Sequence, residues 1–157
     1  MANEPFYRDG LRFSCTRCSR CCRHQPGYVF LSEKDLLELA EEKSTSRDEV
    51  VSLYCRQVNI NGFFRLSLKE KANFDCVFWE RGRCTVHEHR PLQCRNYPFW
   101  HGNLESIETW NELQKECPGV NIGKLHVRNE IEEILEKRRS QPLIEVLPGK
   151  KPGTRAD

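Results

Sequence analysis

The sequence predicts a small α+β domain in which a few helices and a short antiparallel hairpin or sheet surround a cysteine cluster. Three observations lead to this prediction. Nine of the 157 residues are cysteine. Several stretches combine the hydrophobic period of a helix with capping residues, and others have the alternation or turn residues of antiparallel strands. A chain of this length fits one domain with one core.

The first segment, Phe6–Tyr28, contains the densest cysteine run, from Cys15 to Cys22. Few of its residues would form a regular amphipathic element, so we predict a loop built around its cysteines.

Two helices are predicted after this loop. Ser32 is followed three residues later by Asp35 and then by apolar residues at helical spacing, which predicts a helix to about Lys43. Ser46 begins a similar capping pattern, which predicts a second helix reaching Gln57. The two helices are expected to form a hairpin.

Strands are predicted next. Residues 64–69 alternate between apolar and polar side chains, as in a half-buried strand. The tetrad 80–83 contains Gly82 and resembles a turn, so Cys76 and Cys84 are expected to face one another across a hairpin.

Pro91 suits the first position of a helical turn, which would place Cys94 near the exposed N–H groups and the positive dipole end. A thiolate is favoured there. Residues 110–117 are ambiguous between strand and helix, and a turn is predicted at Cys117-Pro118-Gly119.

Residues 122–139 have apolar side chains at helical spacing, early acids and late bases, which predicts a helix. The chain from 140 to 157 is rich in proline, glycine and charge, so we predict a disordered tail after a metal-binding domain at 5–139.

Bulk properties narrow the cellular setting. The formal net charge is only +2, which argues against nucleic acid as a partner. No apolar leader stands in residues 1–10, and no stretch approaches the roughly 20 apolar residues of a membrane helix. These features predict a cytoplasmic protein with no membrane contact.

Cysteines in a reducing compartment stay as thiols, and clustered thiols bind metal or perform redox chemistry. The C-x2-C-x2-C spacing of Cys15, Cys18 and Cys21 can offer three thiolates to one cubane iron–sulfur cluster. A single C-x2-C pair serves tetrahedral zinc equally well. Because neighbouring side chains diverge, Cys21 and Cys22 favour two centres or one multinuclear centre.

Eight cysteines are candidate metal ligands, which is the requirement of two four-cysteine sites. They are Cys15, Cys18, Cys21, Cys22, Cys76, Cys84, Cys94 and Cys117. Pro118 after Cys117 resembles the ferredoxin pattern. It suggests one group of Cys15, Cys18, Cys21 and Cys117, and another of the remaining four. Ligands shared between the groups remain an alternative, and no catalytic or separate cofactor-binding residue is predicted.

Other candidates receive weaker support. Cys55, in the second predicted helix, fits a small buried hydrophobe. Three histidines could replace a thiolate but are expected at the surface: His87, His89 and His101. Arginines beside the cysteines would offset thiolate charge, or form a solvated basic loop, or contact phosphates: Arg12, Arg17, Arg20, Arg23, Arg90 and Arg95.

With these motifs in view, the chain resembles the CxxCxxCC cysteine-cluster family, of YkgJ type, whose members are described as zinc- or iron-chelating proteins. The resemblance spans residues 11–123. It rests on Phe13-x-Cys15-x-x-Cys18-x-x-Cys21-Cys22, Val29-Phe30-Leu31-Ser32 with Asp35, Cys76-Val77-Phe78, Cys84, Arg90-Pro91-x-x-Cys94-Arg95-x-Tyr97-Pro98-Phe99 and Cys117-Pro118-Gly119. Members commonly have glycine where Arg20 stands and often tyrosine where His87 stands. The resemblance implies metal chelation by the shared cysteines and no particular reaction.

Three functions follow as hypotheses. The first is a protein with one or more iron–sulfur clusters, 4Fe-4S in kind, that serves electron transfer, redox sensing or another enzyme through a redox or other protein partner. The second is a structural zinc module without catalysis. The third is an iron–sulfur-dependent oxidoreductase assisted by His87 or Tyr97, which ranks last because no acid–base pair stands at recognisable spacing.

Overall fold

A computed structural model describes residues 3–23 and 26–147 of the chain. Its helices are α1 Glu33–Glu42, α2 Arg47–Tyr54, α3 Leu92–Asn96, α4 Ile107–Glu112 and α5 Arg128–Ser140. Its strands are β1 Leu11–Phe13, β2 Cys55–Ile60, β3 Phe63–Leu68, β4 Trp79–Glu80, β5 Arg83–Cys84, β6 Val120–His126 and β7 Glu145–Val146. The strands pair antiparallel in three small sheets, with orders β1-β6, β2-β3-β7 and β4-β5. The predicted α+β class is confirmed.

The chain divides into two compact units, whose described residues come from Met1–Cys21 and Asn96–Ser140 (unit 1) and from Cys22–Arg95 and Gln141–Asp157 (unit 2). Each unit has its own hydrophobic cluster, one around Trp110 and Ile131 and the other around Leu36 and Val50. The single core expected from chain length is therefore replaced by two, because each unit buries the apolar faces of its own sheet and helices. In residues 3–23 and 26–147, no helix has the length and hydrophobicity needed to cross a bilayer.

The predicted start of α1 is confirmed as a capping box. The Ser32 hydroxyl accepts a hydrogen bond from the Asp35 N–H at 3.2 Å, and the Asp35 carboxylate accepts one from the Ser32 N–H at 2.8 Å. The second predicted helix begins at its expected Ser46 cap but ends at Tyr54, short of Gln57. Its last predicted residues instead begin β2, because their backbone groups pair with β3.

β2 and β3 form a hairpin whose turn is Asn61-Gly62, with φ of 51° and 88°. Positive φ at both central residues is the geometry of a type I′ turn. The predicted strand at 64–69 is thus present as β3, but it is not half-buried by simple alternation. Ser67, expected on the polar face, is fully buried. Its hydroxyl is satisfied there because it accepts a hydrogen bond from the Val29 N–H at 3.0 Å.

The predicted turn at 80–83 is confirmed as a hairpin between β4 and β5, with Arg81 and Gly82 at φ of 49° and 83°. The expected facing of Cys76 and Cys84 across it is wrong. Cys84 stands opposite Trp79, because the two-residue turn fixes the register of the short ladder.

The predicted helix at 122–139 is wrong in its first part. Residues Val120–His126 form β6, which pairs antiparallel with β1, and α5 begins only at Arg128. Gly123 has a φ of +77°, which a regular helix does not allow, and a Cβ there would lie 2.1 Å from the Ser14 hydroxyl oxygen. Pairing with β1 therefore overrides the helical spacing.

The remaining C-terminal predictions have mixed outcomes. In the ambiguous stretch 110–117, residues 110–115 are helical and comprise the end of α4 and a 3₁₀ turn at Leu113–Lys115. Trp110 is fully buried, and its indole N–H donates to the Asn121 side-chain oxygen at 2.7 Å.

Within the predicted tail at 140–157, β7 pairs with β3, and residues 148–157 lie outside the described residues. The predicted domain span of 5–139 stays a prediction.

Asp35 is expected to matter more for stability than an ordinary cap, because it is buried and its second carboxylate oxygen accepts the Leu92 N–H at 2.9 Å. Asp35→Asn would turn an amide donor toward one of these N–H groups and should lower the free energy of unfolding by about 1–3 kcal/mol. Urea denaturation followed by circular dichroism measures this. Ser46→Ala, at the exposed α2 cap, should cost about 1 kcal/mol. If Asp35→Asn lowered the free energy of unfolding by less than Ser46→Ala does, the prediction would be contradicted.

Candidate metal centres

The eight predicted ligands are divided equally between the two units. Unit 1 contains Cys15, Cys18, Cys21 and Cys117, and unit 2 contains Cys22, Cys76, Cys84 and Cys94. The unit boundary passes between the adjacent cysteines Cys21 and Cys22. None of the nine cysteines, all of which are described, forms a disulfide bond. The division matches the two groups suggested by sequence, while metal binding by each group stays a prediction.

In unit 1, the pairing of β1 with β6 brings together the two ends of the first group. Phe13 is the register partner of Val120, and the Ser14 N–H donates to the Gly119 carbonyl at 3.3 Å. Cys15 and Cys117 therefore both stand within a few residues of the same backbone contact. Gly119 permits this approach, since a Cβ there would lie 2.2 Å from the Ser14 carbonyl oxygen.

The loop between Cys15 and Cys21 is curled by two residues in the left-handed region, Arg17 and Ser19, with φ of 55° and 60°. Such residues cost about 1–3 kcal/mol each and concentrate at functional sites. The Arg17 N–H donates to the Cys15 sulfur at 3.4 Å. The thiols of Cys15, Cys18 and Cys21 are exposed. The three closely spaced thiols of unit 1 are thus accessible from solvent.

Cys117 is the half-buried member of this group, and its sulfur accepts hydrogen bonds from the backbone N–H groups of Gly119 and Val120. Burial raises the pKa of the Cys117 thiol, and electrostatic interaction with Cys18 and Cys21 raises it further, while the two N–H groups lower it. Cys18, Cys21 and Cys117 therefore lie close enough to interact electrostatically.

Tyr97 contacts a candidate ligand, and sequence reasoning did not predict this contact. Its hydroxyl donates a hydrogen bond to the Cys117 sulfur. Burial is the largest cause that raises the pKa of Tyr97, followed by the charges of Cys117 and Cys21. The raised pKa keeps Tyr97 protonated beside the thiols, so its hydroxyl can donate to sulfur. The motif Cys94-Arg95-x-Tyr97 draws attention to this tyrosine in the sequence, but only the structure identifies Cys117 as its partner.

In unit 2, backbone and thiol contacts join three of the four candidate ligands. The Cys76 N–H donates to the Cys22 carbonyl at 2.7 Å. The Cys84 sulfur accepts hydrogen bonds from the Cys22 thiol and the Val86 N–H. The Cys22 hydrogen bond is the largest cause that lowers the pKa of Cys84, to about 6; burial opposes the shift, and the Val86 N–H, Arg90 and Lys43 add to it. These contacts favour the thiolate of Cys84, the form that binds metal.

Cys94 stands in α3, which begins at Leu92, one residue after the predicted first position at Pro91. The helix is held by its neighbour Gln93, whose amide accepts the Phe30 N–H at 3.0 Å and donates to the Tyr28 carbonyl at 2.7 Å. Cys94 thus projects from a short helix that is anchored to residues 28–30.

The residues given less weight by sequence behave differently from the eight thiols. Cys55 is 5% exposed, and burial raises the pKa of its thiol to about 12, which fits a small buried hydrophobe. His87 Nε2 lies 2.7 Å from Arg90 Nη1, and His89 Nδ1 lies 2.9 Å from a Glu42 carboxylate oxygen. His101 is exposed. These contacts give His87 and His89 polar neighbours other than a metal.

The donor chemistry of both groups is all sulfur, which suits zinc or iron–sulfur clusters and does not suit Mg²⁺ or Ca²⁺. Within the described ranges, no three His, Cys, Asp or Glu side chains already stand at metal-binding geometry. The thiols stand instead in the smaller sets described above. Donor type therefore fits a thiophilic metal, and binding would draw the sulfurs of each group closer together.

Gly119→Ala tests the close approach in unit 1. The added methyl would press on the Ser14 backbone, so the Cys117 turn should move away from the Cys15 loop. We expect the free energy of unfolding to fall by about 1–3 kcal/mol, with loss of metal from unit 1, as measured by urea denaturation and elemental analysis. Gly102→Ala is the matched control in the same unit, because nothing lies within 4 Å of its Cβ position. Equal metal content in both variants would contradict the prediction.

Comparison with known proteins agrees with this donor chemistry. No solved structure matches the chain. The family model CxxCxxCC, described as a putative zinc- or iron-chelating domain, matches residues 14–118. The matched range contains all eight candidate ligands and more than half of the chain. The protein therefore belongs to the CxxCxxCC family of zinc- or iron-chelating domains.

Proposed function

We propose that this protein holds iron in iron–sulfur clusters, 4Fe-4S in kind, with one cluster in each of the two cysteine groups. Zinc or iron chelation is the property of the family. A cluster would supply one-electron chemistry, so the proposed role is electron transfer, redox sensing or support of another enzyme. No side chain is assigned a catalytic role.

The observation that carries this proposal is the equal division of eight cysteines between two compact units. A cubane cluster takes four thiolates. The close spacing of Cys15, Cys18 and Cys21 within one loop also favours a multinuclear centre, since three thiolates from such a loop can reach three irons of one cubane.

Hydrogen bonds to sulfur give further support. Backbone N–H groups donate to the sulfurs of Cys15, Cys84 and Cys117, and the Tyr97 hydroxyl donates to Cys117. Such bonds stabilise thiolates and tune the reduction potential of iron–sulfur clusters. Both groups contain at least one sulfur with this support.

The exposure of unit 1 thiols bears on the partner. Cys15, Cys18 and Cys21 are exposed, so a cluster there would lie at the surface, where a redox protein can approach it. Thiols of this kind persist in a reducing compartment, which supports a cytoplasmic location.

A structural zinc protein is the alternative function, and the same four-sulfur sets favour it, since tetrahedral Cys₄ zinc is a common structural site. Zinc would contribute folding energy to each unit and would be redox-silent. The two functions differ in metal, sulfide content and colour.

Anaerobic purification separates these functions. We expect a brown protein with about eight iron and eight sulfide per chain, since each cubane contributes four of each. Iron and acid-labile sulfide analysis, with absorption spectra before and after dithionite, measures this. A colourless protein with about two zinc ions per chain and no sulfide would contradict the iron proposal and support the zinc alternative.

Single replacements test the division into two centres. Cys117→Ala and Cys84→Ala should each remove the metal of one unit and leave that of the other, because each takes one thiolate from a different group. Metal and sulfide per chain would then fall by about half in either variant, given four thiolates per centre. Cys55→Ala is the control and should keep all the metal. Loss of all metal from both ligand variants would contradict two independent centres.

A further inference from the structure

A cluster of three side chains in unit 2 connects residues that adjoin three candidate ligands. Arg23 follows Cys22, and its Nε donates to an Asp75 carboxylate oxygen at 3.2 Å. Asp75 immediately precedes Cys76. The backbones of the two cysteines are themselves joined, since the Cys76 N–H donates to the Cys22 carbonyl. One ion pair and one backbone hydrogen bond therefore tie the same two short segments together.

The third member of the cluster is Trp79. The Arg23 guanidinium carbon lies 3.8 Å from the centre of the Trp79 ring, which is a cation–π contact. Trp79 is the cross-strand partner of Cys84 in the β4–β5 hairpin. Arg23 thus adjoins one ligand in sequence and contacts the neighbours of two others.

Burial makes this cluster more than a surface ion pair. The Asp75 side chain is 3% exposed and that of Arg23 30% exposed. The other Asp75 oxygen accepts the Asn73 side-chain N–H at 3.0 Å. A buried carboxylate that loses its cation is strongly destabilised, so the position of Arg23 is closely constrained. Exposed pairs, by contrast, contribute little.

Arginine suits this position for a reason that lysine does not share. Its planar guanidinium donates through its edge to Asp75 while its face lies against Trp79. An ammonium group has no flat face and cannot hold both neighbours in one geometry. Arginine at position 23 therefore fixes the orientation of Asp75 and Trp79 as well as supplying a positive charge.

We propose that Arg23, acting through Asp75 and Trp79, is the positioning residue that holds Cys22, Cys76 and Cys84 in place to bind one thiophilic metal centre. This inference rests on the proposed metal binding by unit 2 and applies to an iron–sulfur cluster or to zinc. Arg23 and Asp75 do not touch the metal in this scheme. They fix the backbone segments from which the thiolates project.

Arg23→Lys in the full-length, metal-loaded protein tests this role. Lysine keeps the charge but loses the flat donor. Outer-sphere variants typically lower metal affinity about 10- to 100-fold, and we expect this loss to appear as an equally faster transfer of the unit 2 metal to a chelator. The unit 1 metal should leave at the wild-type rate. Asp75→Asn is the second variant, and the same selective acceleration is expected. Chelator competition followed by metal analysis gives the rates, and Cys84→Ala identifies the unit 2 phase.

Arg47→Lys is the matched control, because Arg47 also pairs with a carboxylate of unit 2, that of Glu33, away from the candidate ligands. It should leave both release rates unchanged. Unchanged release from Arg23→Lys and Asp75→Asn, or equal acceleration from both units, would overturn the positioning role while leaving metal binding intact. A wild-type chain without metal would overturn the proposed function itself, and this inference with it.

Discussion

Short antiparallel backbone pairings are the constraint on which both candidate centres depend. Cys15 and Cys117 are more than a hundred positions apart in sequence, and closing so long a loop costs conformational entropy. The ladder between β1 and β6 closes it, with Phe13 opposite Val120. In unit 2, the Cys76–Cys22 backbone hydrogen bond and the β4–β5 hairpin close shorter loops between candidate ligands. The hydrophobic clusters support these pairings, and the pairings position the sulfurs.

The same local hydrogen bond recurs at three cysteines. Cys15 accepts the N–H of Arg17, Cys84 that of Val86, and Cys117 that of Gly119, each two residues further along the chain. A backbone dipole directed at sulfur favours the thiolate, because hydrogen bonds to a charged group are the strong ones. The recurrence in separate elements and in both units means that three of the candidate ligands receive a hydrogen-bond donor from their own stretch of backbone.

The sequence predicted best those features that local chemistry decides. The α1 capping box needed only Ser32 and Asp35, and the hairpin at 80–83 needed only its glycine and its flanking residues. Asn61-Gly62 was an equally clear hairpin signal that the strand assignment did not use. β6 was mistaken for helix because the apolar spacing of its residues suits either structure, and only its pairing with the distant β1 decides between them.

In the candidate site, too, local features could be predicted from sequence and contacts between distant residues could not. The two cysteine groups were suggested by the C-x2-C-x2-C run and by Pro118 after Cys117, and the division between the units matches them, while the ligand set stays a prediction. Tyr97, Asp75 and Trp79 could not be linked to particular thiols, because each contact joins residues that only the folded backbone brings together. Arg23 was predicted only as a nearby positive charge, whereas the structure gives it two specific neighbours.

The unit boundary between Cys21 and Cys22 explains how two adjacent thiols can both be ligands. Side chains of neighbouring residues diverge, and Cys21 and Cys22 belong to different compact units. The curled backbone before this point is costly, since Arg17 and Ser19 each require about 1–3 kcal/mol. A structural metal bound by thiolates contributes on the order of 10–16 kcal/mol. That contribution exceeds the cost of both strained residues together, so metal binding can stabilise a loop that its few apolar side chains would not.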